Sequence, residues 1–303
     1  MKKILILSAW LAFYQTAHAC EICGCGNNNF QIGFMPNFSK GFLSVRYTYS
    51  QYHSQMRDDA TQYSNDYFHS TELMGGFLIK KWQVMAFVPY LQSTKTSDDG
   101  VTTTSGLGDA SVLANYLIFS KTQLSKSEQK TYRHDLWLGG GVKLPTGNSK
   151  IDATNTGFTI GDFNSQPGTG SFDYYLNATH YFSINKSGVV TNTTYRINST
   201  NSQDFRFGNR FYVNSIYYYT FSKSNLKIRP NIGLNFQFNN ANIYREQEIE
   251  GSNGYILNSV VGLNLVKGRW GAIAQGFLPL VQNANSGQTN LQFKGMLGLS
   301  YSF

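Results

Sequence analysis

The closing residues of the chain, TNLQFKGMLGLSYSF, alternate in polarity with a period of two. Leu291, Phe293, Leu297, Leu299, Tyr301 and Phe303 make one apolar row, and Gln292, Lys294, Ser300 and Ser302 fall between them. Successive side chains of a β-strand point to opposite faces, so this is a strand with one greasy and one polar side. LKIRPNIGLNFQFNN repeats the pattern, with Ile228, Ile232, Leu234, Phe236 and Phe238 against Lys227, Arg229, Asn231, Asn235 and Gln237. A soluble sandwich would bury the apolar row as its core, whereas a membrane barrel turns it toward lipid and lines its interior with the polar row.

Segments of this kind laid end to end predict about twelve strands. They fall near 40–54, 68–79, 82–96, 107–119, 132–145, 169–184, 188–199, 206–221, 226–240, 253–266, 269–283 and 288–303. Strands this long and regular are unusual in a sandwich, and an even count is what a single-chain bacterial barrel requires. The connections alternate between short ones (IKKW, INKSG, SKSN, VKGR) and long polar ones near 55–67, 97–106, 146–168 and 241–252; SKTQLSKSEQKTY alone is longer than its class predicts. The expected fold is therefore all-β, an antiparallel transmembrane β-barrel of about twelve strands. Its 20 Tyr and 22 Phe would supply aromatic belts at the membrane interfaces, as Tyr217, Tyr218, Tyr219 and Phe221 do near one strand end. Pro89, Pro230 and Pro279 sit awkwardly in this tracing, because proline removes a ladder donor.

The opening residues, MKKILILSAWLAFYQTAHA, put Lys2 and Lys3 before an apolar run and close on the small Ala17 and Ala19, the pattern of a signal peptide over 1–19. A periplasmic N-terminal segment over 20–39 and the barrel over 40–303 follow. After the leader no apolar run is long enough for a spanning helix. The formal charge of +8 is spread without a Lys/Arg block, so nucleic acid is not an expected partner. The expected partners are outer-membrane lipid, a small-molecule solute and the barrel-assembly machinery, whose recognised terminal strand LSYSF resembles in ending on Phe303. Short turns belong in the periplasm and long loops outside, so the expected location is the bacterial outer membrane with both termini in the periplasm.

CEICGCG holds all three cysteines, Cys20, Cys23 and Cys25. An oxidising compartment favours pairing or metal ligation, and three thiols cannot all pair within one chain. Their spacing puts them within reach of one ion, and thiolates favour Cu(I) or Zn(II). A disulfide from Cys20 to Cys23 or Cys25, or lipidation of Cys20, are the alternatives. In each case the cluster is an accessory to the barrel.

Carried around the barrel, the alternation turns Arg46, Lys143, Arg196, Arg210, Arg229 and Lys294 inward against Glu72, Asp109, Asp135 and Asp173. The expected lumen wall is polar and slightly cationic, and charges withdrawn from water need partners. Asp109 at the start of the fourth strand, Lys143 at the end of the fifth and Asp173 at the start of the sixth lie at similar height, which predicts a cluster near the extracellular end. Bracing the wall and pinning register is its first role, and solute contact its second.

SGLGDASVLANYLIF, GGGVKLPTG and QPGTGSFDYYLNATHYF resemble, in order and spacing, the outer-membrane family named for the meta-pathway of phenol degradation; the resemblance covers about 84–185. It implies a transporter β-barrel admitting small, aromatic molecules. Its motif residues here are Gly106, Gly108, Asp109, Lys143, Pro145, Thr146, Gly147, Pro167, Gly168, Gly170 and Asp173, whereas the cysteine segment is not part of the pattern. The glycines are expected at tight bends or positive φ. No helix follows GLGD, so it is not a phosphate loop.

Outer-membrane phospholipase is also a twelve-stranded barrel, with serine and histidine on its lipid-facing wall. His180 falls on the outward face here, but nothing pairs it with a serine and an orienting group, so no catalytic residue is expected. His53 and His69 with Asp58, Asp59 and Asp66 form either a solvated outer loop or a divalent-cation group. The expected function is an outer-membrane channel or transporter for small solutes, aromatic or anionic ones among them. The alternative is a non-transporting barrel that handles copper or zinc through its periplasmic cysteine segment.

Overall fold

The computed structural model describes residues 40–55, 63–97, 100–125, 129–149 and 162–303. The expected signal peptide over 1–19 and the expected cysteine-bearing segment over 20–39 lie outside the described residues. The elements in chain order are β1 (Gly41–Gln55), β2 (Tyr63–Ile79), β3 (Trp82–Ser97), β4 (Gly100–Leu107), β5 (Ser111–Ser125), β6 (Lys130–Lys143), the single turn α1 (Asp162–Ser165), β7 (Asp173–Ile184) and β8 (Ser187–Asn198). They continue with β9 (Phe205–Arg206), β10 (Arg210–Tyr219), β11 (Phe221–Lys223), β12 (Leu226–Asn239), β13 (Ile243–Tyr244), β14 (Gln247–Glu248), β15 (Gly254–Lys267), β16 (Trp270–Ala284) and β17 (Thr289–Ser302).

Every wall pairing is antiparallel, and the sheet closes on itself through β1 on β17 and β10 on β12. Both β4 and β5 pair with β3, one on each side of a break at Gly108–Ala110, so together they make one wall strand. β10 and β11 likewise flank a break at Thr220 along β12. The result is a closed barrel of twelve strands. The short β9, β13 and β14 form a separate sheet at the end carrying the long loops.

The four short connections are two-residue turns, Lys80–Lys81, Asn185–Lys186, Ser224–Asn225 and Gly268–Arg269. Each begins with a residue at positive φ, the backbone that reverses twisted strands tightly. The fifth connection resolves into strand: β5 runs to Ser125 and β6 starts at Lys130, so this hairpin rises past its neighbours. Several boundaries differ from expectation. β2 begins at Tyr63, β4 extends the fourth wall strand back to Gly100 and β5 carries it on to Ser125, β7 begins at Asp173 rather than 169, and β10 begins at Arg210 rather than 206.

Each awkward proline stands where a ladder is already broken. Pro89 pairs with Glu72 on one side and faces the β4/β5 break on the other, where Gly108 N donates to its carbonyl at 2.8 Å. Pro230 faces the β10/β11 break. Pro279 adjoins a register shift against β15 and has no ladder partner on β17, whose pairing with β16 lapses between Phe277 and Ala284. The missing donor is therefore not needed at any of the three.

The outer wall is apolar and exposed, as Leu297 (59 %) and Leu299 (62 %) show. At the short-turn end it carries ring pairs Trp82–Tyr116, Trp270–Tyr301 and Tyr219–Phe221, with centroids 4.9, 5.0 and 4.8 Å apart. At the other end Tyr63, Tyr90, Tyr174 and Tyr255 are exposed. Two aromatic girdles around an apolar band are the signature of a wall in contact with lipid. Within this girdle sequence Tyr218 is the exception, since it alternates inward while Tyr217 and Tyr219 face out.

The interior is more apolar than the alternation suggested. Phe42, Met85, Phe87, Leu113 and Tyr175 meet in one cluster, drawn from β1, β3, β5 and β7, with Met85 and Leu113 register partners. A second contains Tyr52, Phe68, Ile256, Ala284 and Leu291, and a third Ile216, Val260, Phe277 and Met296. These inward side chains pack on one another and are withdrawn from solvent. Leu291 was expected outside; a bulge puts Gln51 opposite Phe293 and Tyr52 opposite Leu291, which reverses the facing of β17 beyond Gln292.

Candidate functional site

At the long-loop end three segments converge on a buried ionic cluster. Lys143 Nζ at the end of β6 lies 2.7 Å from Asp109 Oδ2 and 3.0 Å from Asp173 Oδ2. Arg196 of β8 closes on Asp173 with Nη2 at 2.6 Å and Nε at 3.1 Å. The side chains of Lys143, Asp109 and Asp173 have no exposure to solvent. Two cations and two anions thus share one water-poor site, where attraction is strong and an unpartnered charge would be costly.

Neutral donors complete the coordination. Asp109 accepts from Gly147 N at 2.9 Å, Thr169 N at 2.8 Å and Thr169 Oγ1 at 2.6 Å. Asp173 accepts from Ser171 Oγ at 2.9 Å and Ser199 N at 3.1 Å. Lys143 also donates to the Ser171 carbonyl at 2.9 Å and to the Thr169 hydroxyl. Through these bonds the wall holds the connection from β6 to β7, whose Gln166, Thr169 and Ser171 are buried. Asp109 does not start a strand as expected: it occupies the β4/β5 break, which frees its carboxylate to reach Gly147 and Thr169.

Three glycines let these segments approach. A Cβ on Gly147 would stand 2.6 Å from the Gly108 carbonyl carbon and 2.8 Å from Gly168 Cα, and one on Gly168 would stand 2.6 Å from Gly147 C. Of the motif glycines only Gly170 has positive φ, at 70°. Gly147, which sits at a bend, and Gly168 are also required by backbone contact, whereas a Cβ on Gly106 would meet the Asn148 side chain and one on Gly108 the side chains of Pro89 and Leu91.

The sequence placed Asp109, Lys143 and Asp173 together; it left out Arg196, Thr169 and Ser171. A signal for the last two was present, because Thr169, Ser171 and Asp173 repeat at period two. Pro145 and Thr146 lie at the cluster's edge, where Thr146 Oγ1 accepts from Ala110 N at 2.9 Å, and Pro167 is buried in the same connection.

The other inward charges are buried as well, at several heights rather than in one ring. Arg46 is ion-paired with Glu72, its register partner on β2. Arg196 and Arg210 are register partners near the long loops, while Arg229 lies near the short turns, its guanidinium 5.8 Å from the Tyr218 ring centre. The Arg210 guanidinium lies 5.9 Å from the Phe207 ring centre, and Lys294 Nζ stands 5.0 Å from that of Phe277. Asp135 accepts from Arg133 and from Ser120.

The candidate cation group does not converge. His53 and His69 lie on the outer face, bonded to Asn65 at 2.9 Å and Tyr47 at 2.7 Å, whereas Asp66 is inside. Asp58 and Asp59 lie outside the described residues, as do Cys20, Cys23 and Cys25. Among the described residues no three His, Cys, Asp or Glu gather as metal ligands. His180 stacks on His134 on the outer wall, ring centroids 5.8 Å apart.

An apolar belted exterior around a closed, ion-paired interior defines a transmembrane β-barrel of the bacterial outer-membrane kind. The chain is similar to the crystal structure of an outer membrane channel from Pseudomonas putida F1, at 14 % identity and a TM-score of 0.60, over 89 % of this chain and 97 % of that one. It is also similar to the β domain of the Bordetella autotransporter BrkA, at 12 % identity and a TM-score of 0.47, over 88 % and 100 % of the two chains. The first likeness is one of fold. No protein-family model and no curated protein sequence matches the chain.

Proposed function

We propose that the protein is an outer-membrane channel or transporter for small solutes, with anionic and aromatic solutes favoured. The observation that carries this reading is the interior, where Arg46, Arg196, Arg210, Arg229 and Lys294 line a closed barrel. Charges withdrawn from water are costly unless they are paired or hydrogen-bonded, as Arg46 and Arg196 are with Glu72 and Asp173. The three motifs that resemble the phenol meta-pathway family support the same reading.

Passage is gated, because the inward side chains in mid-barrel are withdrawn from solvent. The movable part is the segment around Thr169, which the ionic cluster holds against the wall. Short turns then face the periplasm, and with them both termini. There Cys20, Cys23 and Cys25 stand as a thiolate group for Cu(I) or Zn, a second reading carried by their spacing alone.

The test is single-channel conductance of the refolded mature chain in a planar bilayer. Discrete, anion-preferring steps that move toward neutrality in Arg210→Gln and Arg229→Gln are the expected result. A folded barrel that passes neither ions nor small solutes would overturn the reading.

A further inference from the structure

The short-turn end of the lumen opens into a cavity of about 410 Å3. Its inner wall is made by Arg133, Asp135, Trp137, Tyr181, Tyr218 and Arg229, contributed by β6, β7, β10 and β12. Lys186 reaches it from the β7–β8 turn, and Lys227 from the first turn of wall on β12. Four basic side chains therefore face one carboxylate, and that carboxylate is already engaged. Asp135 accepts from Arg133 at 2.6 and 2.8 Å and from Ser120 at 2.6 Å.

The remaining field at the mouth is positive, and low-dielectric walls focus it on whatever enters. Arg229 is set by Thr220, whose Oγ1 accepts from its Nε at 3.3 Å, and by the ring of Tyr218. Trp137, Tyr181 and Tyr218 line the same cavity, and aromatic rings of this kind pack against a planar body. The volume lies in the range of small-molecule sites.

We propose that this cavity is a binding site for a small aromatic carboxylate. Arg229, Lys227 and Lys186 take the carboxylate, and Trp137, Tyr181 and Tyr218 flank the ring. The inference deepens the channel reading by naming a solute class, but the site itself needs only the folded barrel.

The experiment is isothermal titration of the full mature chain in detergent with benzoate, benzyl alcohol and inorganic phosphate. Folding is checked separately by heat-modifiable electrophoretic mobility. Benzoate is expected to bind saturably, and benzyl alcohol and phosphate each about tenfold or more weaker, as when one half of a charge-assisted, stacked contact is lost. Lys227→Gln with Arg229→Gln, and separately the turn variant Lys186→Gln, are expected to weaken benzoate while the barrel stays folded. Absence of saturable benzoate binding, equal binding of the alcohol, equal binding of phosphate, or unchanged affinity in both variants would each overturn the proposal. Conductance of the same preparation separates the two readings: a silent barrel that binds benzoate sinks the channel, and a conducting barrel that ignores benzoate sinks the site.

Discussion

Lys143 donates to Asp109 across 2.7 Å, and neither side chain has any contact with solvent. Substituting Lys143→Met removes the lysine partner of Asp109 and leaves Asp173 paired with Arg196. Breaking a buried ion pair from one side costs about 3–5 kcal/mol. Urea unfolding followed by heat-modifiable mobility should show that loss, and Lys143→Met combined with Asp109→Asn should recover part of it.

Gly147 touches the backbone of both Gly108 and Gly168, so a methyl group at 147 has nowhere to go. Gly147→Ala is expected to push the segment around Thr169 off the wall at an overpacking cost of about 1–3 kcal/mol. Larger or more frequent conductance steps and faster proteolysis of the β6–β7 connection would register the displacement. An unchanged trace and an unchanged cleavage rate would show that the cluster does not hold the gate.

Arg46 and Glu72 face each other across β1 and β2 with little solvent access. Each single alanine variant should lose more stability than the double variant, because a lone buried charge is worse than none. A double-mutant cycle in urea measures the coupling, and single losses that simply add would show the pair to be uncoupled.

Phe303 closes the wall by exchanging backbone hydrogen bonds with Gly41 at 3.0 and 3.3 Å. If the terminal strand is also the assembly signal it resembles, deleting Phe303 should sharply lower the yield in the outer membrane while refolding in detergent stays near normal. Equal yields in the membrane would remove assembly machinery as a partner that reads this residue.

Alternation is a local property, and it carried most of the wall. The row from Ile228 to Phe238 faces lipid, and the inward Arg46, Arg229 and Asp135 all follow from counting by two. Counting fails where the ladder loses step. Leu291 turns inward at a bulge, and Asp109 leaves its strand at a break. Bulges and breaks depend on what the partner strand offers, as Pro89, Pro230 and Pro279 each show.

The sequence by itself determined an all-β chain with one lipid-compatible face, its short turns, its strand count and the identity of its inward charges. Those rest on period-two geometry and turn chemistry, which neighbouring residues settle among themselves. Only the tertiary structure decided that apolar side chains cluster inside the barrel, that Arg196 joins Lys143 at Asp173, that Gly108, Gly147 and Gly168 stack backbone on backbone, and that basic and aromatic side chains surround a cavity at one mouth. These are contacts between segments far apart in sequence, and they exist only once closure of the barrel has set every strand's height against the rest.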